Sequence, residues 1–262
     1  MSKDTNAIPI FIISHNRLEC LRQLIDWLEV KGYTNVIILD NASTYPPLLK
    51  YLESLPYSVH RYTQNHGHNV LFEREEFADT IQTRHFVLTD PDVLPLTECP
   101  SDAIDLFHII LEENPRINKV GFSLKIDDIP LTYPLRNTVC QWEERFWRNE
   151  KLFRNIAIYK APIDTTFALY RPIKSRINPD STSCIRTGHP YTARHLPWYA
   201  DPDNLSEEDI YYIQNADERV TNWGLTQSES KLRQRLGLNR CSIAKNLRHL
   251  IRGIIHGNNA DN

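Results

Sequence analysis

The sequence predicts an α/β protein: one mostly parallel sheet with helices on both faces. Three observations carry this. Short apolar runs alternate with amphipathic segments at a spacing of about 25 residues. The runs are continuously apolar rather than alternating, as in strands buried on both faces. Polar clusters stand at the carboxyl ends of several runs, where open parallel sheets bind ligands. A chain of 262 residues can bury one substantial core of this kind.

Ile8 to Ile13 reads as the first strand, central in the sheet because it is nearly all apolar. Asn16 is placed to cap the next helix, with Glu19 completing a capping box. Leu18, Leu21, Leu24, Ile25 and Leu28 then form one apolar stripe at helical spacing, and Gly32 closes the helix. Val36 to Leu39 is a second strand ending at Asp40. Pro46-Pro47 opens a second helix through Leu55, and Val59 to Tyr62 is a weaker third strand. A short helix spans Val70 to Ile81 before the fourth strand, Phe86 to Leu88. Asp102 to Asn114 is a helix, and Lys119 to Leu124 a strand.

The second half is less regular. Phe167 to Tyr170 reads as a strand. Pro162, Pro172, Pro179, Pro190, Pro197 and Pro202 predict a loop-rich region from 172 to 206. Between Lys231 and His256 stand seven Lys or Arg and no Asp or Glu. Ile243, Leu247, Leu250, Ile251 and Ile254 recur there at helical spacing. A basic amphipathic helix of this type can lie on an anionic membrane surface, or pack its stripe on the core. The expected organisation is one domain over residues 1–230, with a ligand-binding half (1–125) and an acceptor half (126–230), followed by a basic carboxyl-terminal segment (231–262).

A net charge of −3 gives no reason to expect nucleic acid as a partner. The 5 Cys are scattered and odd in number, which argues for reduced thiols and a cytoplasmic protein. The polar start at Met1–Asn6 is not a signal peptide, and no apolar run approaches the ~20 residues that cross a bilayer.

The chemistry centres on Asp90-Pro91-Asp92. Two carboxylates at i and i+2, where a strand opens into a loop, can face one ligand. Pro91 stiffens the link. Such a pair suits a hard divalent cation such as Mn²⁺ or Mg²⁺, which in turn suits a diphosphate. Asp40 and the cluster Ser14-His15-Asn16-Arg17 stand at the same predicted sheet edge. His66 and His68 flank Gly67, but a soft-metal role fits poorly beside a hard-ligand pair.

Taken in order, Pro9–Arg17, Val36–Ser43, Asn65-His66-Gly67 and Leu88-Thr89-Asp90-Pro91-Asp92 resemble the motifs of a family-2 glycosyltransferase of the GT-A (Rossmann-like) fold. The resemblance covers about the first 125 residues. The second half is similar, more loosely, to small bacterial enzymes of capsule or lipopolysaccharide synthesis. The resemblance implies a nucleotide-sugar donor, with a UDP-sugar foremost, and a glycan or lipid-linked acceptor. It implies that Asp40 binds the base or ribose and that Ser14, Asn16, Arg17, Asn41 and Ser43 line its pocket. Asn65 and Gly67 would admit the donor to the backbone, and Asp90 and Asp92 would hold the metal. His195 is the best-placed third metal ligand, though a core or loop histidine is the competing reading. Family-2 enzymes invert the anomeric centre and so use one base. Tyr45-Pro46 stands where an Asp is usual, and the usual downstream Glu-Asp pair is missing. Asp164 is therefore the first candidate base, with Asp128 or its neighbour Asp127 behind it; a cap or turn role for Asp164 stays open. Trp142 and Trp198-Tyr199 can stack on sugar rings or pack in the core. The competing functions are a sugar nucleotidyltransferase, whose Gly-rich first loop is not present, and a noncatalytic nucleotide- or glycan-binding module.

Overall fold

The computed structural model describes residues 7–164, 166–174 and 183–215. All of them fall within one compact unit, Met1–Leu225. The basic segment 231–262 lies outside the described residues, as does Pro179.

Among the described residues the sheet has ten strands, ordered β3-β2-β1-β4-β9-β6-β10-β8-β7, with β5 pairing the far end of β10. At its centre β1 (Ile10–Ser14) runs parallel to β2 (Val36–Asp40) and β4 (Phe86–Thr89), and β2 runs parallel to β3 (Ser58–Arg61). β9 (Ala168–Tyr170) is antiparallel to both β4 and β6 (Lys119–Leu124). It thereby splits a parallel series, while β5 and β8 also run against the strand they share. The expected α/β class, with a mostly parallel sheet and helices on both faces, is the one observed.

Period-two alternation decides which helix covers which face. Phe11, Ile13, Phe86, Leu88 and Tyr170 form one cluster with Val70, Leu71, Phe72, Phe77 and Ile81. These last come from α3 (Val70–Glu73), α4 (Ala78–Thr83) and the turn between them. The Phe86 and Tyr170 rings stack at 5.0 Å. On the other face, Trp27 of α1 (Leu18–Val30) meets Phe122 and Phe167 edge-on. Phe107 of α5 (Ala103–Glu113) also packs on Phe122. α2 (Pro46–Ser54) begins at the expected Pro pair. Gly121 is required by close approach: a Cβ there would lie 2.4 Å from the Phe167 carbonyl.

Three expectations are corrected. The predicted helix over 70–81 is broken, because Arg74 is extended (ψ 123) and separates α3 from the turn leading to α4. The capping box at Asn16 and Glu19 does not form: Asn16 takes a left-handed backbone (φ 51), and Arg17 is the cap position without a side-chain cap bond. The region read as loop contains the longest described strand, β10 (Cys184–His195). It pairs with β6, with β8 (Ile156–Lys160) and with β5 (Val93–Pro95). Gly188, His189 and Pro190 hid it, because they fall where the register with β6 shifts between Thr187 and Thr192. β7 (Lys151–Phe153), α6 (Arg136–Glu143) and α7 (Glu207–Asn215) complete the described fold.

Candidate active site

The carboxyl ends of β1, β2, β4 and β6 open on a cleft of about 560 Å³. The β1 loop supplies His15 and Arg17, the β2 loop Asn41, and the loop after β3 Asn65, Gly67 and His68. Asp90, Pro91 and Asp92 follow β4. Trp142, Glu143, Phe146, Asp164, Thr166, Arg186, His195, Trp198 and Tyr212 also face the cleft.

Of the residues expected at the site, Arg17, Asn41, Asn65, Gly67, Asp90, Asp92, Asp164 and His195 line this cleft. Ser14, Asn16, Asp40 and Ser43 do not; they are buried beneath its rim. Asp40 Oδ1 accepts from Ser43 N at 3.1 Å and its Oδ2 from Arg61 Nε at 3.2 Å. Asn16 Oδ1 accepts from Thr44 N and Tyr45 N at 2.7 and 3.0 Å, while Asn16 N donates to Ser43 Oγ. Asn41 performs the same service for the next loop. Its Nδ2 donates to Asn65 Oδ1 and Gly67 O, and its Oδ1 accepts from His66 N. Gly67 sits at φ 61, where a glycine avoids the penalty of a side chain. The rim is thus three loops stitched by two buried asparagines.

His15 Nδ1 lies 2.9 Å from the Asn41 carbonyl. A carbonyl only accepts, so Nδ1 carries the proton, and Nε2 is left to face Asn16 Nδ2 at 3.4 Å. Burial lowers the His15 pKa, outweighing the Asn41 bond and the field of Asp40, which raise it.

Asp92 and His195 are brought together by strand pairing. Val93 stands opposite His195, and Leu196 N donates to the Asp92 carbonyl at 2.8 Å. His195 Nε2 lies 3.7 Å from Asp92 Oδ2. Asp92 Oδ1 and His195 Nδ1 are both buried and make no hydrogen bond among the described residues. Burial lowers the His195 pKa against the pull of Asp92, and Arg17 lowers it further. A hard carboxylate oxygen and an imidazole nitrogen, both desolvated and unsatisfied, fit a divalent cation. Asp90, Asp92 and His195 are not drawn together within 4.8 Å as a set among the described residues.

Asp128 stands outside the cleft lining. It accepts from Arg194 Nε and Nη2 at 3.0 and 2.5 Å and from the Tyr199 hydroxyl at 2.5 Å. Against the raising effect of burial, Arg194 and Tyr199 hold its pKa below the ordinary value. A carboxylate so occupied is a weaker base than a free one. Asp164 is exposed on the cleft wall.

The structure adds residues that the sequence reading passed over. Glu143 and Arg186 form an ion pair at 2.9 Å, with both side chains about 95% buried (5% and 4% exposed). Arg186 Nε also donates to Pro162 O, and its guanidinium lies 4.5 Å from the Phe146 ring. Burial raises the Glu143 pKa, while Arg186 works to lower it. α7 is the other addition. Ser206 and Asp209 bond reciprocally as a capping box. Asp209 also accepts from Arg17 at 3.0 Å, and Tyr212 lies 3.6 Å under the Arg17 guanidinium. Glu208 accepts from Glu19 N at 2.8 Å, capping α1 in place of Asn16. The motif Ser206-Glu207-Glu208-Asp209 was legible as a helix start; its partner Arg17, far away in sequence, was not.

No family model matches the chain, and no curated protein matches it. Among solved structures it is similar to a cytidylyltransferase from Leptospira borgpetersenii, at 18% identity and a TM-score of 0.32, over 53% of this chain and 71% of that one. It is also similar to glucosyl-3-phosphoglycerate synthase from Mycobacterium tuberculosis in complex with phosphoglyceric acid, at 14% identity and TM-score 0.37, over 64% of this chain and 58% of that one. A mycobacterial protein matches at 12% identity and TM-score 0.34, over 70% and 66% of the two chains. At such identities and TM-scores these likenesses carry no argument about activity.

Proposed function

We propose that the protein is a metal-dependent glycosyltransferase of the GT-A type, moving a sugar from a nucleotide-diphosphate donor to a glycan or lipid-linked acceptor in bacterial surface polysaccharide synthesis. One observation supports this most. Asp90 and Asp92, together with the sequence-distant His195, line one cleft with Arg17, Asn41, Asn65 and Gly67, at the carboxyl edge of a mostly parallel sheet.

In this reading Asp90 and Asp92 would hold Mn²⁺ or Mg²⁺, with His195 as the nitrogen ligand, and the bound ion would supply positive charge beside the leaving diphosphate. Arg17, steadied by Asp209 and Tyr212, offers a second positive charge to the same cleft. Asn41, Asn65 and Gly67 present the loop backbone to the nucleotide, and Asp40, Asn16 and Ser43 act as positioning residues beneath. The acceptor hydroxyl oxygen bonds to the anomeric carbon as the bond from that carbon to the diphosphate oxygen breaks. Asp164 takes the hydroxyl proton, with inversion at the sugar. Trp142 and Phe146 offer apolar faces for an acceptor sugar. No helix among the described residues is long and apolar enough to cross a membrane. The proposed membrane contact rests on the segment 231–262, outside the described residues.

A thermal-shift screen of UDP-, GDP-, CMP- and dTDP-sugars with Mn²⁺ identifies the donor. Asp92→Asn should then lower turnover on the order of 100-fold, about 2.7 kcal/mol, without loss of fold. Full activity in excess EDTA would overturn the metal-dependent reading, and release of pyrophosphate in place of a nucleoside diphosphate would point to nucleotidyl transfer.

A further inference from the structure

The end of β4 away from the carboxylate pair carries a second cluster of ligating side chains. His85 immediately precedes β4. His108 and Glu112 stand four residues apart on α5, hence on one helix face. Each offers a ligand atom, and these atoms all lie within 4.8 Å of one another. The two imidazole rings are 4.9 Å apart between centroids and inclined at 66°. Glu112 Oε1 lies 3.9 Å from His85 Nε2.

We propose that His85, His108 and Glu112 form a binding site for a borderline transition-metal dication of the Zn²⁺ class, separate from the hard-cation pair of the cleft. The donor set decides the class of ion: two imidazoles and one carboxylate suit Zn²⁺, Ni²⁺ or Co²⁺, whereas Mg²⁺ takes oxygen. Bonds of about 2.1 Å in a tetrahedron put ligands about 3.4 Å apart. The cluster therefore closes on an ion by a side-chain movement of an ångström or so. Glu112 has the freedom for it, with its side chain 53% exposed; His85 is 18% exposed and set by the strand behind it. Two histidines reaching from a strand start and from a helix make a staple between β4 and α5.

A cation already stands beside this site. Arg171 Nη1 lies 3.4 Å from Glu112 Oε1, and the guanidinium is anchored on the Ile117 and Leu111 carbonyls. Its charge opposes that of a metal and competes for the same carboxylate. The site is thus open and moderate in affinity, with solvent completing the coordination.

The test uses the full chain carrying Asp92→Asn, which weakens the cleft as a competing site. Zn²⁺ titrated at pH 7.5 should bind with one-to-one stoichiometry and raise the melting temperature, and Mg²⁺ should do neither. Co²⁺ should give visible absorption bands of a low-coordinate site. His108→Ala should weaken Zn²⁺ at least ten-fold, and Arg171→Gln should tighten it. If His108→Ala fails to fold, Glu112→Gln, at an exposed side chain, decides with an expected loss in the same direction. Absence of stoichiometric Zn²⁺ binding, or binding indifferent to both His108→Ala and Glu112→Gln, overturns the site.

Discussion

Asp92 Oδ2 and His195 Nε2 stand 3.7 Å apart, across a pair of antiparallel strands that the sequence does not announce. Each residue keeps a second polar atom, Asp92 Oδ1 and His195 Nδ1, buried without a hydrogen bond among the described residues. Leaving such groups unmet costs about 1–3 kcal/mol each. A ligand that met both atoms would recover that cost. β10 fixes the geometry from one side and the loop after β4 from the other.

Asp164 is expected to matter for chemistry and not for folding. It is exposed on the cleft wall, so Asp164→Asn should leave the melting temperature unchanged. Turnover should fall about 10²- to 10⁴-fold, the usual contribution of a positioned base. Near-normal kcat in this variant, measured at saturating donor and acceptor, would remove Asp164 from the mechanism.

Asn16 should prove a stability residue. Its carbonyl oxygen holds two backbone N–H groups of the β2 loop, and its own backbone is left-handed. Asn16→Ala loses both bonds and adds a backbone penalty of about 1 kcal/mol, for a total loss of roughly 2–4 kcal/mol. Asn16→Gly, which tolerates φ 51, should recover the backbone part only. Urea midpoints for the two variants check this; equal stabilities would show that the backbone conformation contributes nothing.

His15 should contribute acid sensitivity. Its folded pKa is lowered from 6.5 by burial, so below pH 6.5 the unfolded chain takes up the proton more readily than the folded one. The stabilisation is therefore complete above pH 6.5 and lost as pH falls beneath it. Protonation of Nε2 also ends its acceptance from Asn16. The melting temperature of the wild type should fall more steeply from pH 6.5 to about pH 5 than that of His15→Asn. Parallel curves would contradict the assignment.

The Glu143–Arg186 pair should behave as a buried ion pair. Glu143→Ala strands the Arg186 charge in the wall and should cost about 3–5 kcal/mol. The double variant Glu143→Leu with Arg186→Met removes both charges and should be more stable than the single one. Chemical denaturation orders the two; a double variant no better than the single would mean that Arg186 is needed for more than charge balance.

Much of the frame could be read along the chain. Continuous apolar runs such as Ile10–Ile13 and Val36–Leu39 must be buried on both faces, and that alone calls for a parallel sheet covered by helices. The amphipathic stripe of α1 supplies the cover. Asp90 and Asp92 could be placed at a strand end because a strand that stops at charged residues has reached the sheet edge. These are local signals, and local physics sets them.

What remained was decided by tertiary structure. The direction of β9 and the existence of β10 depend on partners distant in the chain, and a strand containing Gly188 and Pro190 carries no clean local pattern. Whether a polar residue lines a cleft or lies beneath it depends on which way its strand end turns. Asp40 and Asn16 turn inward because Ser43, Thr44, Tyr45 and Arg61 offer hydrogen bonds there. Asp128 is engaged by Arg194 and Tyr199, more than sixty residues away in the chain. Sequence by itself determined the sheet and the carboxylate pair, because burial and turn chemistry act over a few residues. Only the folded chain could bring His195, Glu143, Arg186 and Tyr212 to that pair, because long-range packing chooses among contacts that local preference leaves equal.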